Sequence, residues 1–197
     1  MTRITPNPMW LAAALALVGC KGFQTSHRAA DCTDQDCPTA SMQKQFSPED
    51  GGSLSLEDGA QLTVLEIPED SFSKPLIVSM EIHTVADDIC ELDEQTEALT
   101  EIRLEARDVS GDKATAEDVL KPVTLTFSHD KDLASGFSLN RIDSGSCEKV
   151  ASSAVTTNLT EAWALSDADR ISFGISDLNA RYLLTYSSAG NSDTSST

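Results

Sequence analysis

The chain has 197 residues, with 14 Lys or Arg and 32 Asp or Glu, and its formal net charge is −18 at pH 7. So acidic a chain excludes nucleic-acid binding, because affinity for DNA comes largely from basic side chains that neutralise phosphates. It also excludes attachment to anionic lipid head groups through a basic patch. The charge keeps an exported domain soluble and attracts divalent cations or basic partners.

Residues 1–19 have the layout of a secretory signal peptide. Residues 1–8 are polar with Arg3 as their charged side chain, and residues 9–18 form an unbroken apolar run. This run is too short for a membrane span, because a helix needs roughly 20 apolar residues to cross the hydrocarbon. The sequence therefore predicts export, and the alternative is a buried apolar helix.

The end of this segment, Leu17, Val18, Gly19 and Cys20, resembles the lipobox of bacterial lipoproteins. The resemblance implies cleavage before Cys20, a diacylglyceryl thioether on its sulfur and an acylated amino group, with palmitate among the acyl chains. Two or three acyl chains are enough for stable anchoring. Because Lys21 and not Asp follows the cysteine, the resemblance implies the outer membrane. The alternative is an ordinary signal peptide with a chance cysteine.

Five cysteines become an even set of four once Cys20 is assigned to lipid. Four cysteines allow three pairings. We expect Cys32 to pair with Cys37 across a small loop and Cys90 to pair with Cys147, with both of the latter in loops between strands. A zinc site is the weaker alternative, because paired CxxC units are lacking and the histidines are scattered. These histidines are His27, His83 and His129.

Residues 20–50 contain the lipidated cysteine and then a stretch without helical or strand periodicity. They are rich in Ser, Thr, Gln, Asp and Ala, which is typical of a flexible linker. Asp31, Asp34 and Asp36 offer oxygen ligands at a spacing that could hold calcium. A sharp-turn Gly and a closing Glu are missing, so a solvated acidic loop is the favoured interpretation.

From residue 51 onward short runs of period two alternate with turn residues, and this pattern predicts a β domain over residues 51–186. Asp58-Gly59 is typical of a hairpin turn. The apolar phase slips at Leu65, which predicts a bulge or a strand that switches sheets. The predicted strands are 53–56, 62–67, 76–83, 101–107, 123–127, 137–142, 171–175 and 180–186.

One of these segments is ambiguous, and one further segment is rich in strand-forming residues. Residues 101–107 have the composition of a helix but the period of a strand, and the period decides for strand. Residues 152–165 are rich in β-branched side chains, with Trp163 as an expected core anchor. Short strands, frequent turns and the lack of a convincing helix predict an all-β, antiparallel, Ig-like sandwich, followed by a disordered tail at residues 187–197.

The domain resembles ZU5-like β-sandwich modules. The resemblance rests on the glycine turn at Gly51, Gly52 and Gly59, on the strand that ends in Ile67-Pro68, and on residues 121–127. It implies an interaction or structural module. The self-cleavage motif of some relatives is absent from residues 176–179, so the resemblance does not imply autoproteolysis.

Searches for catalytic motifs found no nucleophile elbow, phosphate-binding glycine loop or zinc-protease signature. His83 is expected at the surface and His129 as a strand cap, and no metal ligand, catalytic residue or cofactor is predicted. The acidic run at Glu91, Asp93, Glu94 and Glu97 is expected to be a solvated loop. We expect a non-enzymatic, lipid-anchored envelope protein with a protein partner. The alternatives are a calcium or small-ligand binder and a hydrolase with an unrecognised carboxylate site.

Overall fold

The computed structural model describes residues 25–27, 37–59, 61–86, 89–129, 136–143, 146–152, 154–155 and 169–187. Several predictions fall outside these residues: the signal peptide with Cys20, the residues Cys32 and Trp163, the linker aspartates Asp31, Asp34 and Asp36, and the tail from residue 188 onward. Ser187, the first residue of the predicted tail, belongs to the last strand. Twelve strands and one 3-10 turn, Ala116–Asp118, make up the regular structure of the described part. The strands are β1 Thr25–His27, β2 Pro38–Phe46, β3 Gly52–Asp58, β4 Gln61–Ile67, β5 Leu76–His83, β6 Thr96–Asp108, β7 Val123–His129, β8 Phe137–Asp143, β9 Ser146–Ser152, β10 Ala154–Val155, β11 Asp169–Ile175 and β12 Arg181–Ser187.

The strands form two antiparallel sheets that pack face to face, so the predicted β-sandwich is confirmed. Sheet A has the order β1-β2-β5-β6-β12-β8-β9, and sheet B has the order β10-β11-β7-β4-β3. The hairpin predicted at Asp58-Gly59 joins β3 to β4, with Asp58 opposite Gln61. Gly59 has a φ of +62°, a conformation that glycine adopts without steric cost.

The core lies between the inner faces of the two sheets. In sheet B, Val123, Leu125 and Phe127 of β7 are completely buried, as their alternation predicts. The Phe127 ring meets Phe173 of β11 edge to face, with 6.1 Å between the ring centroids. Val78 and Met80 of sheet A belong to the same apolar cluster. The expectation that Phe127 lies between the sheets is confirmed.

The predicted boundary between linker and domain at residue 50 is wrong. Residues 38–46 form β2, which pairs with β5 along its whole length. Phe46 is 2% exposed and contacts Phe72. The period of β2 is hard to read because Lys44 occupies an inward position opposite Val78. Its ammonium lies 4.9 Å from the centre of the Phe46 ring and donates to the Ser53 carbonyl, so a charged residue fits at the sandwich edge.

The bulge predicted in β4 is also wrong, because β3 and β4 pair without a register shift. The apolar phase slips because β4 is an interior strand that is buried on both faces: Leu65 points to the core and Val64 to the other side. Thr126, which was expected on an exposed face, is 3% exposed and shares a 2.9 Å hydrogen bond with Ser172. An interior strand can bury a threonine when its hydroxyl is paired.

The turn before β12 is held by two side chains. Tyr182 donates its hydroxyl to the Asp177 carbonyl at 2.6 Å, an arrangement that resembles the tyrosine corner of β-sandwiches. Burial raises the pKa of Tyr182, so it remains a neutral donor. Asn179 accepts from the Ala106 amide and donates to the Ala114 carbonyl. These bonds fix the turn against the end of β6 and so set the position of Arg181.

Candidate functional site

The outer face of sheet A carries a buried charge cluster. Strand alternation in β6 sends Glu101 and Arg103 to this face, while Ile102 and Leu104 enter the core. Arg181 of β12 lies directly opposite Arg103. The Nε atoms of both arginines donate to the same oxygen, Oε1 of Glu101, each at 2.8 Å. A single carboxylate oxygen therefore orients two guanidinium groups.

Glu101 is only 2% exposed. Burial opposes its ionisation, but the hydrogen bonds from Arg181 and Arg103 outweigh that effect and lower the pKa of this carboxyl. The Arg103 side chain is 26% exposed and that of Arg181 is 45% exposed. The anionic part of the cluster is therefore buried, and its cationic part reaches solvent.

His83 lies next to this cluster, opposite Glu101 in the pairing of β5 with β6. It is 4% exposed, so the expectation of a surface histidine is wrong. The Nε2 atom lies 3.0 Å from Oε2 of Glu81, and Nδ1 is buried without a hydrogen-bond partner among the described residues. The sequence suggested a surface position because charged residues surround His83 in the chain, although the sheet places it beside a buried carboxylate.

A disulfide between Cys90 and Cys147 crosses the same face and confirms that predicted pair. Cys147 was expected in a loop, but it lies in strand β9. The bond fixes the loop before β6 over a second apolar cluster, in which Ile89, Ile142 and Leu183 are buried. In the described residues Cys37 has no disulfide partner, and its predicted partner Cys32 lies outside them.

Beside the Glu101 cluster, an open groove of about 660 Å³ runs across the outer face of sheet A. Asn179 and Ala180 of the turn before β12 close one end of it. Arg141 of β8 lines the groove and pairs with Asp177 at 3.0 Å through Nη2. The charged lining consists of Arg103, Lys113, Arg141 and Arg181 together with Glu81, Glu105 and Asp143.

The acidic loop between β5 and β6 was the other ligand candidate that the described residues include. Asp93 of the acidic loop accepts hydrogen bonds from the Gln95 amide and the Thr96 hydroxyl, so its carboxylate stabilises a local turn. Within the residues described, no group of three His, Cys, Asp or Glu side chains could hold a metal ion. In the same part of the chain, no helix is long and apolar enough to cross a membrane.

Sequence reasoning placed Glu101, Arg103 and Glu105 on the polar face of a strand but assigned them no role. The signal available was the alternation of acidic and basic residues along β6. Arg181 is 80 residues away from Glu101, and only the pairing of β12 with β6 brings them together. Comparison of the chain with protein-family models, curated proteins and solved structures found no match, so the function is argued from this site.

Proposed function

We propose that the protein is a lipid-anchored bacterial outer-membrane protein that uses its β-sandwich as a non-catalytic interaction module. The partner binds at the outer face of sheet A. The observation that carries the proposal is Glu101, which is buried beside an open groove and orients two arginines that line it. A buried ion pair contributes little to stability, since desolvation offsets the attraction, so its use here is positioning.

The electrostatics of three carboxyl groups favour a role in orienting donors over acid catalysis by these groups. A carboxyl group that acts as a general acid near neutral pH needs a raised pKa. The carboxyl groups of Glu101, Asp108 and Asp118 have lowered pKa values, because hydrogen bonds favour their ionised forms. These groups are therefore suited to orient donors and not to give up protons.

Three features support the proposed lipid-anchored location in the cell envelope and the interaction role. The lipobox-like residues 17–20 supply the anchor, and the net charge of −18 suits an exported domain. The disulfide between Cys90 and Cys147 suits an oxidising compartment outside the cytoplasm. The resemblance of residues 51–68 and 121–127 to ZU5-like modules agrees with an interaction role, although a fold alone implies no activity.

The anchor is tested by replacing Cys20. The Cys20→Ser protein should remain an unprocessed precursor that takes up no labelled palmitate, because serine offers no thioether. The Cys37→Ser protein serves as the control and should be labelled like the wild type. Labelling of Cys20→Ser at the wild-type level would contradict the lipid anchor.

The binding face is tested by site-specific crosslinking in intact membranes. A photo-reactive residue replaces Lys113 in the groove or, as the matched control, the exposed Glu57 on strand β3 of sheet B. We expect a protein adduct from position 113 that is absent at position 57 and is lost in the Arg141→Glu variant. Equal adducts at both positions, or none at position 113, would contradict the proposed face.

A further inference from the structure

The groove on the outer face of sheet A contains cationic hydrogen-bond donors that are not all engaged. Arg181 uses its Nε atom for Glu101, and its two Nη groups make no hydrogen bond or ion pair with the described residues. The ammonium of Lys113 has no partner there either. Arg141 binds Asp177 through Nη2 only, and its side chain is 44% exposed. The donors of these three residues therefore remain available to a ligand in the groove.

Two of the carboxylates that line the groove already have partners. Glu81 is held by His83 at 3.0 Å, and Glu105 accepts from Nη2 of Arg107 at 2.6 Å. The third, Asp143, also takes part in an interaction. Glu101 accepts from the Nε atom of Arg181, and the Nη groups of that guanidinium make no hydrogen bond with the described residues. The groove thus offers cationic donors whose nearby acids are engaged.

From this geometry we infer that the groove binds an oxyanion, a carboxylate or phosphate group carried by the partner; this inference rests on the proposed function. A guanidinium group is planar and presents paired N–H donors that match two oxygens of such a group. Glu101 fixes the plane of the Arg181 guanidinium before the ligand arrives, so less conformational entropy is lost on binding. Lys113, which also lines the groove, adds a point charge.

The net charge of the chain predicts how oxyanion binding depends on salt. A protein with a charge of −18 repels anions at long range, so the affinity must come from direct hydrogen bonds inside the groove. At about 0.15 M salt the screening length is roughly 8 Å, and the repulsion from distant carboxylates is then largely removed. Binding should therefore persist at physiological salt, unlike binding to a diffuse basic patch.

The test is a titration of the full chain, solubilised in detergent, with inorganic phosphate and separately with succinate. The NMR signal of the Arg181 Nε–H group is followed at 0.15 M salt. We expect saturable shifts, and a loss of affinity of roughly tenfold in Arg181→Ala, since hydrogen bonds to charged groups are strong. Because Arg181→Ala lacks this Nε–H group, the affinity of that variant is measured by calorimetry.

Two further variants separate recognition from folding and from simple charge. Arg141→Ala removes a groove cation that does not touch Glu101, and it should also weaken binding. Lys121→Gln removes an exposed cation that pairs with Asp70 outside the groove, and it should change the affinity less than twofold. Saturation with phosphate alone indicates a phosphate-bearing ligand, and saturation with succinate alone indicates a carboxylate-bearing one. Either result, or saturation with both, supports the inference.

The inference is overturned if neither probe gives saturable shifts, or if Lys121→Gln weakens binding as much as Arg141→Ala does. Its failure is distinguishable from failure of the proposed function. A crosslinked partner that binds equally well to Arg181→Ala would leave the interaction module standing and remove the oxyanion. Phosphate binding without any groove-dependent adduct would support the oxyanion and contradict the interaction module.

Discussion

The two faces of sheet A bury side chains by different means. The inner face excludes water with apolar residues such as Val78, Met80 and Ile102, which need no partner but close packing. The outer face buries Glu101 and His83 and needs hydrogen bonds, a disulfide-bound loop and a small apolar cluster to do so. Strand β6 therefore contributes to the core through one set of alternate residues and to the proposed binding surface through the other set.

The largest expected effect tests the inner face. Phe127→Ala should lower the free energy of unfolding by roughly 3–5 kcal/mol, because it leaves a cavity between the sheets. Chemical denaturation of the purified protein measures this loss. Thr126→Ala, one residue away on the other face of β7, should cost about 1–2 kcal/mol, because the buried hydrogen bond between Thr126 and Ser172 is lost. Equal losses would show that the two faces of β7 are not packed differently.

The next effect tests the loop that covers the outer face. Cys90→Ala opens a disulfide that closes a segment of 57 residues, and the loss of stability should be about 2–4 kcal/mol, since the unfolded chain gains freedom. Thiol labelling should find Cys147 reactive in this variant and unreactive in the wild type. Tryptic mapping that joins Cys37 to Cys90 would contradict the pairing.

The buried charge is tested by a matched pair of substitutions on one face of β6. Glu101→Gln removes the charge that holds Arg103 and Arg181, and it should cost about 2 kcal/mol. Glu105→Gln removes a carboxylate that is 43% exposed and pairs with Arg107, so it should cost less than about 1 kcal/mol. Urea denaturation of both variants gives the comparison. A smaller loss for Glu101→Gln would mean that its burial is not maintained by the arginines.

The smallest expected effect is on stability at low pH, and it concerns Asp108 at the end of β6. The Ser110 hydroxyl bonds Asp108 and, with the Asp112 and Ser110 amides and Lys74, lowers the pKa of this carboxyl to about 2. The unfolded value is higher, so the ionised form stabilises the fold above about pH 4. That contribution disappears as the pH falls towards 2.

Asp108→Asn should therefore flatten the loss of stability between about pH 4 and pH 2, as measured by urea midpoints across that range. Glu117→Gln is the control, because the Glu117 carboxylate makes no contact with the described residues. An unchanged slope in Asp108→Asn would show that other carboxyl groups govern the acid limb.

Local patterns were sufficient for the sandwich and for much of its core. The alternation in residues 76–83 and 123–127 predicts which side chains face inward, because the period of a strand is a property of the backbone itself. The pairing of Cys90 with Cys147 was one of three that four cysteines allow, and it was expected because Cys32 and Cys37 lie close together in the sequence. These features depend on the sequence alone, since neither requires the register between distant strands.

Tertiary structure decided the rest. Lys44 hides the period of β2 until the sandwich edge supplies a ring and a carbonyl for its ammonium. Thr126 is polar, but it is buried because β7 lies inside its sheet. Arg181 reaches Glu101 only when β12 pairs with β6, and Arg141 comes to line the same groove only when β8 pairs with β12. An acidic composition could not reveal this groove, because net charge is a sum over the chain and a binding site is set by which few charges the strand register brings together.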